Sequence, residues 1–136
     1  MKTLLVILSV FALNGCALLV RTQHELDHIK LEPIESPIVK VGEIKLGRFN
    51  GQTVITGFVY KQSWESITTK THLDVTLFGA NNTVLRQSMA GFTPSQIGNG
   101  HRTRGHASYW VIVDPLPADV RRIEVRAHEG AHGTGG

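Results

Sequence analysis

The stretch THLDVTLFG, residues 71–79, has the most regular alternation in this sequence. Leu73, Val75 and Leu77 fall on one face of an extended segment, and the polar residues that alternate with them fall on the other. Successive side chains of a β-strand point to opposite faces of the sheet, so this pattern is typical of a half-buried strand. The stretch therefore predicts a β-strand with one face in a core.

Similar short segments lie on both sides of this strand. Asn50-Gly51 is a strong hairpin signal, and Ala80-Asn81-Asn82 predicts a second turn. No long helical pattern interrupts the series, so the spacing predicts an all-β sandwich of six or seven strands. The other predicted strands cover residues 38–46, 52–61, 83–89, 105–114 and 120–127.

The order of these features resembles the immunoglobulin-like modules of bacterial envelope proteins. The resemblance is carried by TGFVYKQ (56–62), LDVTLFGANNTVL (73–85), SYWVIVDPLP (108–117) and RRIEVRAHE (121–129). It covers roughly residues 39–128 and implies an immunoglobulin-like sandwich of about seven antiparallel strands. A resemblance of this kind carries a fold and little function.

The amino terminus has the form of an export signal. Lys2 supplies a positive charge, Leu4 to Leu13 is almost wholly apolar, and Leu13-Asn14-Gly15-Cys16 follows. These residues resemble the lipobox of a bacterial lipoprotein. The resemblance implies cleavage before Cys16, lipidation of its thiol and acylation of the new amino terminus, for example with palmitate. A plain secretory leader and an uncleaved membrane anchor are the alternatives.

The lipoprotein hypothesis divides the chain into four parts. These are a signal peptide (1–15), a lipidated tether (16–37), the β-sandwich domain (38–128) and a flexible tail (129–136). Pro33 and Pro37 favour a tether, with a short helix possible between Arg21 and Leu31. Ala17 follows the cysteine, and the resemblance then implies transfer to the periplasmic face of the outer membrane.

Charge and cysteine content exclude several classes of function. The net charge is only +3, and no run of Lys or Arg exceeds two residues, which argues against binding to nucleic acid. Cys16 is the only cysteine, so a mature domain has no internal disulfide, no Cys-based zinc site and no CxxC redox motif. Such a domain is held together by packing alone.

Histidine is abundant, and two His-Glu-x-x-His strings occur, at 24–28 and at 128–132. On a helix this spacing binds catalytic zinc. Gly130 and Gly133 oppose a helix in the second string, so a zinc metallopeptidase is only a remote alternative. The metal-binding hypothesis is a lipoprotein that holds Cu, Zn or Ni without catalysis. Its predicted ligands are His24, His28, His128 and His132.

No nucleophile motif, phosphate loop or carboxylate pair stands out, which favours a non-enzymatic protein without a resident cofactor. The first function hypothesis is therefore an accessory module that binds a periplasmic protein partner, through a sheet edge or through the long irregular loop. Trp110 is predicted to lie in the core, with an exposed apolar patch as the alternative. The predicted partner-binding residues are Phe92, His101, Arg102, Arg104 and His106.

Overall fold

A computed structural model describes residues 25–99 and 105–130. These residues form seven β-strands and one short 3₁₀ turn (Ala80–Asn82), and they contain no α-helix. The prediction of an all-β sandwich is confirmed. The strands are β1 (Lys30–Ile34), β2 (Val39–Phe49), β3 (Gln52–Lys61), β4 (Thr71–Phe78), β5 (Val84–Ala90), β6 (His106–Ile112) and β7 (Arg122–Glu129).

The strands form two sheets. The four-stranded sheet has the order β1-β7-β4-β5, and the three-stranded sheet has the order β2-β3-β6. All pairings are antiparallel except that of β1 with β7. The core lies between the two sheets. In the segment 71–79, Leu73, Val75 and Leu77 are fully buried, as the alternation predicts.

A bulge in β2 lies between Val41 and Ile44, where the pairing with β3 shifts register. Both of these residues are buried although their spacing is odd. The extra residue of the bulge restores the inward direction for Ile44, because a bulge changes the phase of a strand. The hairpin that follows has Asn50 and Gly51 at positive φ, the backbone geometry that favours Asn-Gly in tight turns.

Strand β1 corrects the predicted domain boundary. Residues 30–34 fall within the range assigned to the tether, but they pair with β7 from Lys30↔Arg122 to Ile34↔Arg126. Ile29, just before the strand, is buried in the core. The folded domain therefore begins some eight residues earlier than the predicted start at residue 38.

The side chain of Arg122, on β7, binds β1 to the sheet. Its guanidinium lies 2.6 Å from Glu32 and 3.1 Å from Glu124, and it stacks 3.8 Å from the centre of the Phe78 ring. Hydrogen bonds from Lys30 and Arg122 lower the pKa of Glu32 below its usual value.

Some predictions concern residues outside the described part of the chain. These are the signal peptide, Cys16 and the tether up to residue 24, the loop residues 100–104, and the tail from residue 131. Within residues 25–99 and 105–130, no helix is long and apolar enough to cross a bilayer.

Candidate functional site

The outer face of the three-stranded sheet is unusually apolar. Five of the nine large hydrophobic side chains that are exposed among the described residues lie on β2, β3 and β6. We call this surface the aromatic face. Its members are Phe49 (54% exposed), Phe58 (47%), Tyr60 (39%), Trp110 (49%) and Ile112 (52%).

Strand alternation explains why these side chains point outward. Val59 and Tyr109 are buried, so their neighbours Phe58, Tyr60 and Trp110 must project from the opposite side of the sheet. The prediction that Trp110 lies in the core is therefore wrong, and the alternative of an exposed apolar patch holds. The core between the sheets is already filled by residues of opposite phase.

The aromatic rings form two clusters. Phe49 meets Trp110 edge to face, with ring centres 5.0 Å apart. Phe58 and Tyr60 both contact His106, at 5.5 Å and 6.2 Å between ring centres. An open groove of about 790 Å³ borders both clusters, and Thr56, Ser108, Glu43 and Lys45 are among its lining residues.

Charged side chains on β2 border the aromatic face, and we call this border the rim. Lys40 lies opposite Tyr60 and Lys45 lies opposite Thr56, so both belong to this side of the sheet. Both are exposed, and Glu43 between them is exposed as well. Neither lysine forms an ion pair within the described residues. The rim is therefore slightly basic.

Only part of the predicted partner-binding loop coincides with this surface. His106 begins β6 and contacts the aromatic face. Phe92 is 6% exposed and belongs to the core, so its ring is not available to a partner, which corrects its assignment. His101, Arg102 and Arg104 lie outside the described residues.

A second cluster lies on the outer face of the other sheet, and we call it the His–Asp cluster. His72 on β4 pairs directly with His128 on β7, and Asp74 lies two residues further along β4 on the same face. The rings of His72 and His128 stack with their centres 5.1 Å apart. Nε2 of His72 and Nδ1 of His128 each lie 3.5 Å from an oxygen of Asp74.

The His–Asp cluster is partly buried on its Asp74 side and open at His128. The Asp74 side chain is 9% exposed, that of His72 is 14% exposed and that of His128 is 41% exposed. Arg126 lies opposite Asp74 in the register of β4 with β7, and its Nε lies 2.9 Å from Glu124. Among the described residues, these are the three His, Asp or Glu side chains whose ligand atoms converge within 4.8 Å.

The predicted four-histidine site is not formed by the residues that are described. His28 precedes β1, which begins beside Arg122, whereas His128 lies near the other end of β7. The six residues from Arg122 to His128 span about 20 Å in a strand. Parallel pairing of β1 with β7 therefore separates the two histidines, while His24 and His132 lie outside the described residues.

The described part of the second His-Glu-x-x-His string, residues 128–130, is not helical. His128 and Glu129 are the last residues of strand β7, and Gly130 follows at positive φ. The first string lies partly outside the described residues, and residues 25–28 form a turn. The spacing that zinc metallopeptidases use depends on a helix, and residues 128 and 129 belong to a strand.

The sequence prediction of metal ligands missed His72 and Asp74. Both occur in the stretch 71–79 as polar residues of the outward phase. The alternation of this stretch indicates that both side chains point outward. Their contact with His128, however, depends on the register of β4 with β7. Strand alternation alone does not specify which two strands are neighbours.

Comparison with known proteins adds no relative to this description. No protein-family model matches the chain, and searches of curated proteins and of solved structures found no match. The two surfaces described above are therefore the basis for inferring a function.

Proposed function

We propose that this chain is a non-enzymatic, lipid-anchored module on the periplasmic face of the outer membrane, and that its aromatic face binds a partner protein. The observation that carries the proposal is the grouping of Phe49, Phe58, Tyr60, Trp110 and Ile112 on one sheet face. The outer face of an antiparallel sheet is ordinarily polar, since it meets water. Apolar clusters of this kind mark interaction surfaces.

The composition of the aromatic face matches that of an interface core. Tyr, Trp and Phe are enriched at the centres of protein interfaces and supply most hot spots, because they bury a large area with few rotatable bonds. Trp110 and Phe58 lie on the two adjacent strands β6 and β3. We expect these two rings to be the anchors of the contact.

The rim indicates the chemistry of the partner. Lys40 and Lys45 are exposed beside the rings and have no ion pair within the described residues. Opposite charge at an interface rim speeds association and fixes orientation. The proposed partner is therefore an envelope protein with an apolar patch that is bordered by acidic side chains.

The lipid anchor would set the reach of this surface. Eight residues lie between Cys16 and residue 25, where the turn that precedes β1 begins. They span at most about 30 Å when extended. A partner within that distance of the membrane is accessible to the aromatic face.

Site-specific photocrosslinking in cells tests the proposal. A photoreactive phenylalanine analogue replaces Trp110 in one variant and Met89 in the other. Met89 is a matched control, because it is 62% exposed but lies on β5 of the opposite sheet. We expect one defined crosslinked envelope protein from position 110 and none from position 89.

Two further variants test the chemistry of that crosslink. With the analogue placed at Ile112, Phe58→Ala should reduce the product, and so should Lys45→Glu, which reverses the charge of the rim. Loss of a hot-spot residue weakens binding by about 2 kcal/mol, or roughly 30-fold. Identical products from positions 110 and 89 would contradict the proposal. A product containing two copies of this chain would instead make the face a homodimer interface.

A further inference from the structure

The geometry points to a transition-metal site formed by His72, Asp74 and His128, which binds Cu(II) and, more weakly, Zn(II). This site lies on the four-stranded sheet, away from the aromatic face, and it is independent of the proposed partner binding. Two of its three ligands, His72 and Asp74, belong to neither His-Glu-x-x-His string.

The donor set fits ions of borderline softness. Imidazole nitrogen suits Zn(II), Cu(II) and Ni(II), and a carboxylate oxygen completes sets of this kind. Ligands about 2.1 Å from a tetrahedral ion lie about 3.4 Å from one another. Nε2 of His72 lies 3.5 Å from Oδ1 of Asp74, and Nδ1 of His128 lies 3.5 Å from Oδ2, so each histidine is close to that separation from one of the two carboxylate oxygens.

Binding of one ion requires the three ligand atoms to move slightly closer together. The three ligand atoms lie within 4.8 Å of one another, which is wider than two bonds to one ion allow. The His128 side chain is 41% exposed and can rotate toward the ion with little repacking. The paired strands β4 and β7 fix the backbone positions of all three residues.

This rigidity separates the His–Asp cluster from a site made of flexible segments. Ordering a flexible residue costs roughly 1–2 kcal/mol, and a site on paired strands does not incur that cost on binding. His72 and His128 are directly opposite in the register of β4 and β7. The backbone positions of the ligands are therefore fixed before the ion arrives.

Charge and access also favour a cation. The Asp74 carboxylate is 9% exposed and lies beside both histidine rings. The open side at His128 gives the ion a path in and leaves room for water to complete its coordination. Copper(II) binds such N and O sites more tightly than Zn(II), following the Irving–Williams order.

The experiment uses full-length protein, purified in detergent without a polyhistidine tag. The five other histidines, His24, His28, His101, His106 and His132, are replaced by Gln, so that His72 and His128 are the only imidazoles. Copper(II) is titrated into this variant, and the electron paramagnetic resonance spectrum counts the bound nitrogens. We expect one Cu(II) per chain with two imidazole nitrogens, and excess Zn(II) should displace it.

Single changes in that background identify the ligands. Asp74→Asn keeps the side-chain shape and removes the charge, and His128→Gln changes an exposed position, so both should fold. Loss of an outer-shell partner already weakens metal binding by about 10- to 100-fold, and loss of a direct ligand should do at least as much. Glu129→Gln, which alters the adjacent exposed carboxylate, is the matched control and should leave the affinity unchanged.

The possible results separate clearly. A one-nitrogen spectrum after His128→Gln, with weaker binding after Asp74→Asn, supports the site. Unchanged affinity in both variants overturns it, and so does the absence of bound copper when only His72 and His128 remain. Crosslinking from position 110 should be the same with and without copper, so failure of one proposal is distinguishable from failure of the other.

Discussion

Tyr109 has a buried hydroxyl with no hydrogen-bond partner among residues 25–99 and 105–130. Burial raises its pKa from 10.0 to about 12, because the charged phenolate loses its hydration. The unfolded chain releases this proton near pH 10, whereas the folded chain keeps it. Between pH 10 and 12 the unfolded state binds fewer protons, so stability falls as the pH rises.

We therefore expect Tyr109→Phe to flatten the alkaline loss of stability. At pH 7 the variant should be as stable as the parent or slightly more stable, because a buried unpartnered hydroxyl is removed. Urea unfolding at pH 7 and at pH 10.5 measures both effects. Tyr60→Phe, at a 39% exposed position, is the control. An equal drop with pH in parent and Tyr109→Phe proteins would show that the hydroxyl is not responsible.

Gly57 is required by the same close packing. A Cβ there would lie 2.5 Å from the Tyr109 hydroxyl and 2.7 Å from the Glu43 carbonyl oxygen. The carbonyl belongs to the backbone and the ring is held in the core, so neither can move away. The added methyl group would therefore clash with both. We expect Gly57→Ala to lower the free energy of unfolding by about 1–3 kcal/mol.

Gly47→Ala is the matched control for this change. Gly47 lies on the neighbouring strand β2, and a Cβ added there would meet nothing within 4 Å. Alanine there should be neutral or stabilising by up to about 1 kcal/mol, because glycine is unfavourable within a strand. Chemical denaturation of both variants checks the pair, and equal effects would rule out the steric explanation.

At the scale of the element, the sequence predicted the location of β2 to β7, with ends that differ by up to three residues. The inward residues of β4 and β7 follow a period of two, and Asn50-Gly51 specifies the hairpin between β2 and β3. Strand β1 was missed because Pro33 argues against a strand. Edge strands tolerate proline, since one side of their backbone has no partner, and β1 is at an edge.

The candidate sites were harder to predict than the strands. Phe58, Tyr60 and Trp110 are outward in phase, but hydrophobic side chains are ordinarily assigned to the core. His72 and Asp74 meet His128 only through the pairing of β4 with β7, two segments separated by more than forty residues of sequence. Local patterns carry no information on such a register.

Strand β1 should contribute measurably to stability. Ile29 is 6% exposed beside it, and deletion of a buried isoleucine side chain leaves a cavity. We expect Ile29→Ala to lower the free energy of unfolding by about 2–4 kcal/mol. Pro33→Ala, at an exposed position of the same edge strand, should change it by less than about 0.5 kcal/mol.

Guanidinium denaturation of both variants tests whether β1 is part of the folded domain. If Ile29→Ala were as stable as Pro33→Ala, the segment would be a tether that lies against the sheet without contributing to the stability of the domain. Removal of residues 25–34 should lower the free energy of unfolding further than Ile29→Ala. It also exposes the edge of β7, which promotes aggregation.

At the scale of the whole molecule, the two proposed sites lie on the outer faces of different sheets. The aromatic face is carried by β2, β3 and β6, and the His–Asp cluster by β4 and β7. A core of fully buried residues such as Ile55, Val75 and Val125 separates them. A partner bound at one face therefore leaves the other accessible.

Attachment through Cys16 is the remaining whole-molecule prediction. Lipidation at both the thiol and the new amino terminus supplies several acyl chains, enough for stable anchoring where one chain is marginal. We expect Cys16→Ala to move the protein from the membrane fraction to the soluble periplasmic fraction, while its unfolding midpoint stays the same. Among the described residues, the first strand begins at Lys30, fourteen residues after Cys16, which is why stability should not change. Fractionation followed by mass measurement of the purified chain checks this. Retention of Cys16→Ala in the membrane, with residues 1–15 still attached, would instead establish an uncleaved anchor.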